Sequence, residues 1–407
     1  MAYTPVGPSS NSLLTPTIIA KEALMQLVNS MAMSRHVYKE YKNEFVKPMG
    51  TVNIRKPVKF RATKTQARAN TNIAEPSITI TMTTQAHVSW AFSSVDLTKT
   101  IEDYSKRYIS PAAAALSNQV DADLCGLYID VANSVGTPGT TPATFSVLGD
   151  GQVKMDDEAV PGDKRLGILN PAANWALADG LKGTFAPQVA KDIITKGFLG
   201  MIANLSLYMD QNVVRLTTGT RVASTVVVNL DGGAFASGGA SLITEGWGGS
   251  GTVKAGDVFT IGDVFAVNPM SGASTGVLKQ FVVTADEVDT GANMTIAFSP
   301  AIVYGATNAY SNVNALPLNH AAVTFVGGNS VAYPQNLLFH PNAFALVTVP
   351  IEMPANVWGA RESDPDAGLS IRVVKQYDID ADEEIIRLDI LYGIKTLYPE
   401  LAVRLWG

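Results

Sequence analysis

Between Thr290 and Ile351 the chain runs for 62 residues without an Asp, Glu, Lys or Arg. Surface without charge is weakly solvated and prone to association, so a stretch of this length must be covered by the rest of the fold or by another molecule. A bilayer is a poor cover. Gly, Pro, Asn and Ser interrupt the run repeatedly, and nowhere does it approach the ~20 continuous apolar residues that span a membrane. A protein–protein interface fits better. Charged residues make up 16% of the whole sequence, against roughly 25% in an ordinary soluble protein.

A chain of 407 residues has room for two or three domains. The opening MAYTPVGPSSNS has no basic segment followed by an apolar one, so no secretory signal is expected and folding in a cytoplasm is the default. A single cysteine, Cys125, excludes an intrachain disulfide and a multi-cysteine metal site. The net charge of -6 conceals an asymmetry: residues 1–120 hold 14 Lys and Arg against 7 Asp and Glu, and the remaining 287 hold 16 against 29. Parts of opposite charge can attract one another between subunits.

The opening sixteen residues read as a loose arm. Ile18, Leu24, Leu27 or Val28, and Met31 predict a helix over Thr17–Tyr41. From Val46 to Thr81 the texture changes to alternation with β-branched residues (TVNIRKPVKF, SITITMT) around the polar tip TKTQARANTNIAEP, which predicts a long two-stranded ribbon. Such a ribbon has no core of its own and needs a surface to lie on. Ile101, Tyr104, Tyr108, Ala112, Leu116, Val120, Leu124, Leu127, Val131 and Val135 then step by three or four, the clearest helical pattern in the chain. Ser110-Pro111 either kinks this helix or begins it. At least Pro111–Val135 is expected to be helical, about 37 Å long, with Gly136 and Pro138 as its stop. Residues 161–216 mix short strands and helices. Thr217–Pro334 is nearly pure β with Gly-rich turns and reads as a separate inserted domain, and strand signals continue in NAFALVTVPI, GLSIRVVKQYDI and EIIRLDILYGI.

Taken in order, the strings SSVDLTKTIEDYSKRYISPAAAALSNQVD, GFLGMIANLSLYMDQNV, GDVFTIGDVFAVN, NLLFHPNAFALVTVPIEMP and DILYGIKTLYPELAVRLWG carry a resemblance. The chain resembles major capsid proteins of tailed bacteriophages with the Hong Kong 97-like fold, and more closely the coat proteins of short-tailed phages that carry an inserted β-domain. No string is a catalytic signature, and the specificity comes from having all of them in order. The resemblance implies an α+β fold in six parts: N-terminal arm and helix (1–45), extended β-ribbon loop (46–92), peripheral-domain spine helix (93–136), axial domain (137–216), inserted β-barrel-like domain (217–334), and a return through axial and peripheral-domain strands (335–407). It also implies a virion shell of hexamers and pentamers of this chain around double-stranded DNA, assembled in the host cytoplasm. Scaffolding, portal and decoration proteins would be its partners, with packaged DNA touched only indirectly and no membrane involved. An encapsulin-like cellular compartment shell is the alternative that shares the fold, and a β-rich hydrolase is the alternative from another class.

Candidate contact residues follow from charge. Lys47, Arg55, Lys56, Lys59, Arg61, Lys64 and Arg68 place seven positive charges in or beside the ribbon, with Glu75 the one acid between Val46 and Thr81. Residues 352–407 carry 11 acids against 6 basic residues. The ribbon is expected to lie on an acidic surface of the next subunit that includes Glu383 and Glu384. Nucleic acid is the competing partner for such a cluster, but Phe60 is the ribbon's one aromatic and makes no stacking series.

Apparent chemical motifs have simpler readings. Gly272-Ala273-Ser274-Thr275-Gly276 matches G-x-S-x-G but sits between two strand signals, so a hairpin turn is expected. His36, His87, His320 and His340 are scattered without metal-ligand spacing. Asp378, Asp380 and Asp382 begin like a calcium loop, but Glu383 and Asp389 stand where Gly and Glu are needed, so an acidic hairpin turn is expected. Gly246–Gly251 lacks a following helix or P-loop lysine and reads as a flexible loop. No catalytic residue, cofactor or metal site is expected. Some members of the wider fold cross-link subunits through a Lys and an Asn; that motif has no residue-by-residue match here, so no isopeptide bond is expected.

Overall fold

The computed structural model describes residues 16–40, 50–60, 75–93, 105–181, 200–221, 225–249, 251–289, 291, 293–305, 308–355, 357–364 and 368–407. Its longest strand, Glu383–Thr396, organises the first of three layers of structure. At 14 residues it spans about 46 Å. Along one edge it pairs antiparallel with Thr84–Ser93, from Tyr392↔Thr84 to Glu383↔Ser93. It also pairs with Leu369–Asp378 over its first half and with Phe344–Thr348 over its second. Trp358–Asp364 adds the outer strand beside Leu369–Asp378. Ile386, Leu388, Ile390 and Tyr392 turn inward at every second position, the period a half-buried strand dictates. They meet two helices, Pro16–Ser30 and Ser110–Gly126, in one core with Ile19, Ala23, Leu27, Leu116, Val120 and Leu124.

Both helices are shorter than their patterns predict. The first ends at Ser30 rather than Tyr41. The buried Asp121 carboxylate takes the N–H groups of Ala32 at 2.7 Å and Ser34 at 2.8 Å, offering the backbone a partner outside the helical ladder. A 3-10 turn, Met33–Arg35, follows. The second helix ends at Gly126 rather than Val135 and decays through a 3-10 turn, Leu127–Asp130. Tyr128 and Val131 are still buried in the same core, so the three-to-four spacing outlasts the helix, and Ser134–Val135 pairs in parallel with Arg404–Leu405. Ahead of Pro111 the chain makes a π-helical turn, Ser105–Ile109. Proline has no N–H to offer the carbonyl four residues back, and the wider turn accommodates that loss.

The second sheet has the order Ser134–Val135, Ala402–Leu405, Asn336–Phe339, Leu166–Leu169, Leu205–Met209, Met201–Ile202. Its central strands, LGIL and NLLF, are buried at every position, as strands covered on both faces must be. The helices Phe145–Asp157 and Pro171–Leu181 cover one face through Leu148, Met155 and Leu177 on Leu338, Val403 and Leu405.

The third unit is a six-stranded sheet, in the order Val323–Phe325, Val258–Val267, Ser274–Val283, Asn293–Ile302, Gly239–Glu245, Val227–Val228. Its two outer strands meet through the bridge Val227↔Ala322 and the bond from Val323 N–H to the Val226 carbonyl at 2.9 Å, closing the sheet into a barrel. The barrel has its own core, with Phe259, Phe281 and Phe298 packed at ring separations between 5.2 and 5.8 Å. The chain enters and leaves it through a paired stalk, Arg215–Thr217 with Ala332–Pro334. The loop expected at Gly246–Gly251 is tied down at its described residues. Trp247 is buried with Nε1–H donated to Thr244 Oγ1, and Asp289 accepts the N–H of Gly249 at 2.7 Å.

Barrel and second sheet share a polar junction. Lys279 and Glu158 form a buried ion pair at 2.5 Å, and the Gln280 amide bonds both backbone groups of Ser134. Arg404, fully buried, donates to the Gly256 carbonyl at 2.6 Å and lies 5.1 Å from the Tyr128 ring. Burial lowers its pKa to about 10, against the opposing pull of Tyr128, Tyr333 and Asp257.

Candidate assembly interface

The ribbon's root is a regular antiparallel pair, Thr51–Arg55 with Ser77–Thr81, in the register Thr51↔Thr81 to Arg55↔Ser77. The sequence suggests a ribbon without support, but its root is supported. Val52, Ile54 and Ile80 face inward and pack on Ala345, Val347 and Leu397 of the same subunit. The polar tip, and with it Arg61, Lys64 and Arg68, lies outside the described residues, as does Lys47.

Three of the seven ribbon cations are described. Arg55 sits 3.3 Å from Glu75, both side chains at least half exposed, a pair worth about 0–1 kcal/mol. Lys56 holds its ammonium 4.8 Å over the Tyr398 ring; burial lowers its pKa while Glu400 pulls the other way. Lys59 donates its backbone N–H to Tyr310 Oη at 3.2 Å, and among the described residues its ammonium has no acidic partner. Beyond these anchors Phe60 stands 71% exposed.

Glu383 and Glu384 begin the long strand, next to the turn Ile379–Asp382. This is the acidic hairpin turn expected from the sequence. Asp378 accepts the N–H of Asp380 at 3.0 Å, Tyr377 Oη donates to Asp382 at 2.6 Å, and Asp382 takes a positive φ of 53°. Glu384 is paired within the chain to Lys375, whose ammonium lies 4.6 Å over Trp358. Glu383 stands directly opposite Asp378 in the strand register. Like charges so placed repel.

The surroundings of this turn escaped the sequence reading. Ile379 is 81% exposed, Tyr377 and Ile385 are partly exposed, and with Val374 and Arg387 they line a groove of about 510 Å³. The signal is present in EEIIRLDI. Once Ile386, Leu388 and Ile390 are assigned to the core face, Ile385 falls on the outer face, where a polar residue is the norm.

The other motifs resolve as structure. Ser274 opens a strand after the turn at Asn268–Ala273, where the Asn268 side chain accepts the N–H groups of Met270 and Ser271. His36 stacks on Tyr208 at 4.2 Å, and burial with Lys39 and Arg35 lowers its pKa. His340 accepts the Asn342 N–H on Nδ1, and burial lowers its pKa too. His320 pairs with Glu245 at 3.2 Å, and His87 stands opposite Asp389 in the strand register. Among the described residues no group of His, Cys, Asp and Glu has metal-site geometry.

Comparison with known proteins bears on the fold and on the C-terminal part of the chain. Residues 241–407 match the family described as P22 coat protein, gene protein 5. A chain of Mycobacterium phage Che8 superposes with a TM-score of 0.50 at 13% identity, over 92% of this chain and 90% of that one. The capsid of Ralstonia phage GP4 gives 0.44 at 10% identity over 89% and 84%, and that of Cyanophage P-SCSP1u gives 0.42 at 11% over 89% and 84%. At such identities the likeness is one of fold. A search of curated proteins returns no match. The class is thus an α+β chain of the Hong Kong 97-like fold. More particularly, the C-terminal part of the chain, residues 241–407, is similar to the P22 coat protein family.

Proposed function

We propose that this chain forms an icosahedral shell around the double-stranded DNA of a tailed phage, assembling in the host cytoplasm as hexamers and pentamers with a scaffolding protein. A portal protein and a decoration protein are further partners, and the subunit acts without catalysis. In this reading 46–92 is the extended loop, 93–136 the spine segment, 137–216 the axial domain, 217–334 an inserted domain, and 1–45 and 335–407 complete the peripheral and axial parts. The observation that carries it is the ribbon, anchored in its own subunit at the root and presenting basic residues and Phe60 outward. A shell subunit needs contacts that pass from one copy to the next and close, and an arm that can swing at its root supplies them across slightly different angles.

The test is charge reversal at the ribbon tip. Arg61→Glu with Lys64→Glu is expected to abolish closed shells in negative-stain micrographs, with and without the scaffolding protein, while the subunit keeps its wild-type circular dichroism. Unaltered shells from the reversed protein refute the ribbon's role. Boiled, denatured wild-type shells are expected to run as single chains; a ladder of higher mass overturns the absence of isopeptide bonds.

A further inference from the structure

The ribbon is supported at three places, and they do not belong to one layer. Its strands rest on the first sheet, where Val52, Ile54 and Ile80 pack on Ala345 and Val347. Beyond the strands the ladder adds one bond, from the Lys56 N–H to the Pro76 carbonyl at 2.8 Å. There the Lys56 ammonium lies over Tyr398, which packs against the same root cluster. Pro57 follows; it has no N–H and a fixed φ, so it stiffens the chain without extending the ladder. Two residues on, the third support comes from the barrel, where Tyr310 Oη accepts the Lys59 N–H from 251 residues away in sequence.

Tyr310 stands on a stiff loop that follows the strand Asn293–Ile302. The backbone of Asn312 donates to the Val303 carbonyl at 3.0 Å, its Oδ1 accepts the Val303 N–H at 2.9 Å, and its amide donates to the Ala301 carbonyl at 2.7 Å. Asn308 accepts the Tyr310 N–H at 2.9 Å, and the Ser311 hydroxyl lies 3.1 Å from the carbonyl of Val313, a residue of the barrel core. A loop whose polar groups are paired in this way resists displacement, so the Tyr310 hydroxyl is presented from a fixed point. The barrel is in turn fastened to the second sheet by Lys279 on Glu158, by Gln280 on Ser134, and by the Asn268 amide on the Asp157 carbonyl at 3.3 Å.

We infer that the inserted barrel braces the extended ribbon, with Tyr310 setting the angle at which the ribbon leaves its own subunit. The inference rests on the shell-building function proposed above and gives the barrel a task within it. Two supports define the axis of a hinge, and a third defines its angle. The root and Tyr398 supply the axis on the first sheet; Tyr310 supplies the angle from the barrel. One hydrogen bond within reach of water biases such an equilibrium by roughly twofold to tenfold. The brace therefore selects a resting angle and still releases the ribbon to the neighbouring angles that closure demands. Because the root sits on one layer and the brace on another, a shift of the barrel over the second sheet also swings the ribbon.

The test removes the hydroxyl alone. Tyr310→Phe keeps the ring and loses the acceptor, whereas Tyr310→Ala loses both. In the soluble subunit, hydrogen exchange of the Lys59 amide is expected to accelerate roughly twofold to tenfold in Tyr310→Phe, while the amides of Phe259 and Phe281 in the barrel core exchange as in the wild type. In negative-stain micrographs, closed shells of wild-type diameter are expected to fall by about threefold or more in both variants, replaced by open and mis-sized forms, with the subunit's unfolding midpoint unchanged. Equal Lys59 exchange in the wild type and Tyr310→Phe overturns the brace. Shells of Tyr310→Ala that match the wild type in yield and diameter overturn it too. A wild-type chain that forms no shells, with or without its scaffolding protein, refutes the shell-building reading instead, an outcome distinct from equal exchange in the soluble subunit.

Discussion

Lys279→Met and Glu158→Gln should damage the junction between barrel and second sheet unequally. The two side chains are 6% and 7% exposed and 2.5 Å apart, so removing either partner strands a buried charge, which costs about 3–5 kcal/mol. The asymmetry comes from Lys154. Its pKa is lowered by burial and by Lys279, against the upward pull of Glu158 and Asp157, so its charge is felt by both members of the pair. When Lys279 is removed, Lys154 still faces Glu158, and the loss should sit near about 3 kcal/mol. When Glu158 is neutralised, the repulsion between the buried Lys279 and Lys154 charges is offset by Asp157 alone, and the loss should approach about 5 kcal/mol, the upper end of that range. Replacing all three with apolar residues of similar volume should recover most of the loss. Hydrogen exchange of the Ser134 amide, which donates to Gln280 across this junction at 2.8 Å, reads the effect locally. Since about 1.4 kcal/mol is a factor of ten, exchange should rise on the order of a hundredfold for Lys279→Met and more for Glu158→Gln. Equal acceleration in the two variants, or less than about fivefold in both, refutes the three-membered network.

Two further predictions concern the strand Glu383–Thr396. Gly393→Ala should force the ribbon root off the strand, since the new methyl meets a backbone oxygen that cannot yield; shell yield should fall severalfold with little change in barrel stability, and normal shells would count against the close approach. Asp389 is fully buried, and although burial alone would raise its pKa, Arg372 and Arg387, each at 2.6 Å, hold it below the usual carboxylate range. Its stabilising effect is therefore full above about pH 4 and fades as pH falls through the depressed value. In acid-unfolding curves followed by circular dichroism, Asp389→Asn should be less stable at neutral pH and lose less on acidification, and parallel curves would refute the assignment.

The barrel was legible because its strands are long, alternate in pattern and are punctuated by glycines, signals carried within each segment. The hairpin from Leu369 to Thr396 was legible for the same reason, down to its acidic turn. The helix ending at Gly126 was overextended because Tyr128 and Val131 keep facing the core after the backbone leaves the α conformation; burial periodicity reports the core's position and only indirectly the hydrogen bonding. Support for the ribbon root was hidden because Ala345, Val347 and Leu397 lie 265 to 345 residues away in sequence. The pairing of Glu384 with Lys375 was hidden for a related reason: it becomes visible only once the hairpin register is known.

With the ribbon root fastened at one end of Glu383–Thr396 and the acidic turn carried at the other, that strand is a ruler between the two. An extended, hydrogen-bonded strand is nearly inextensible, so spacing is metered by residue count, while angular freedom is left to the ribbon root. Deleting two residues would shorten the ruler by about 7 Å and keep every side chain on its face, whereas deleting one would also turn the remaining residues inside out. In the shell proposed above, a strand of fixed length should therefore leave curvature freer to vary than pitch.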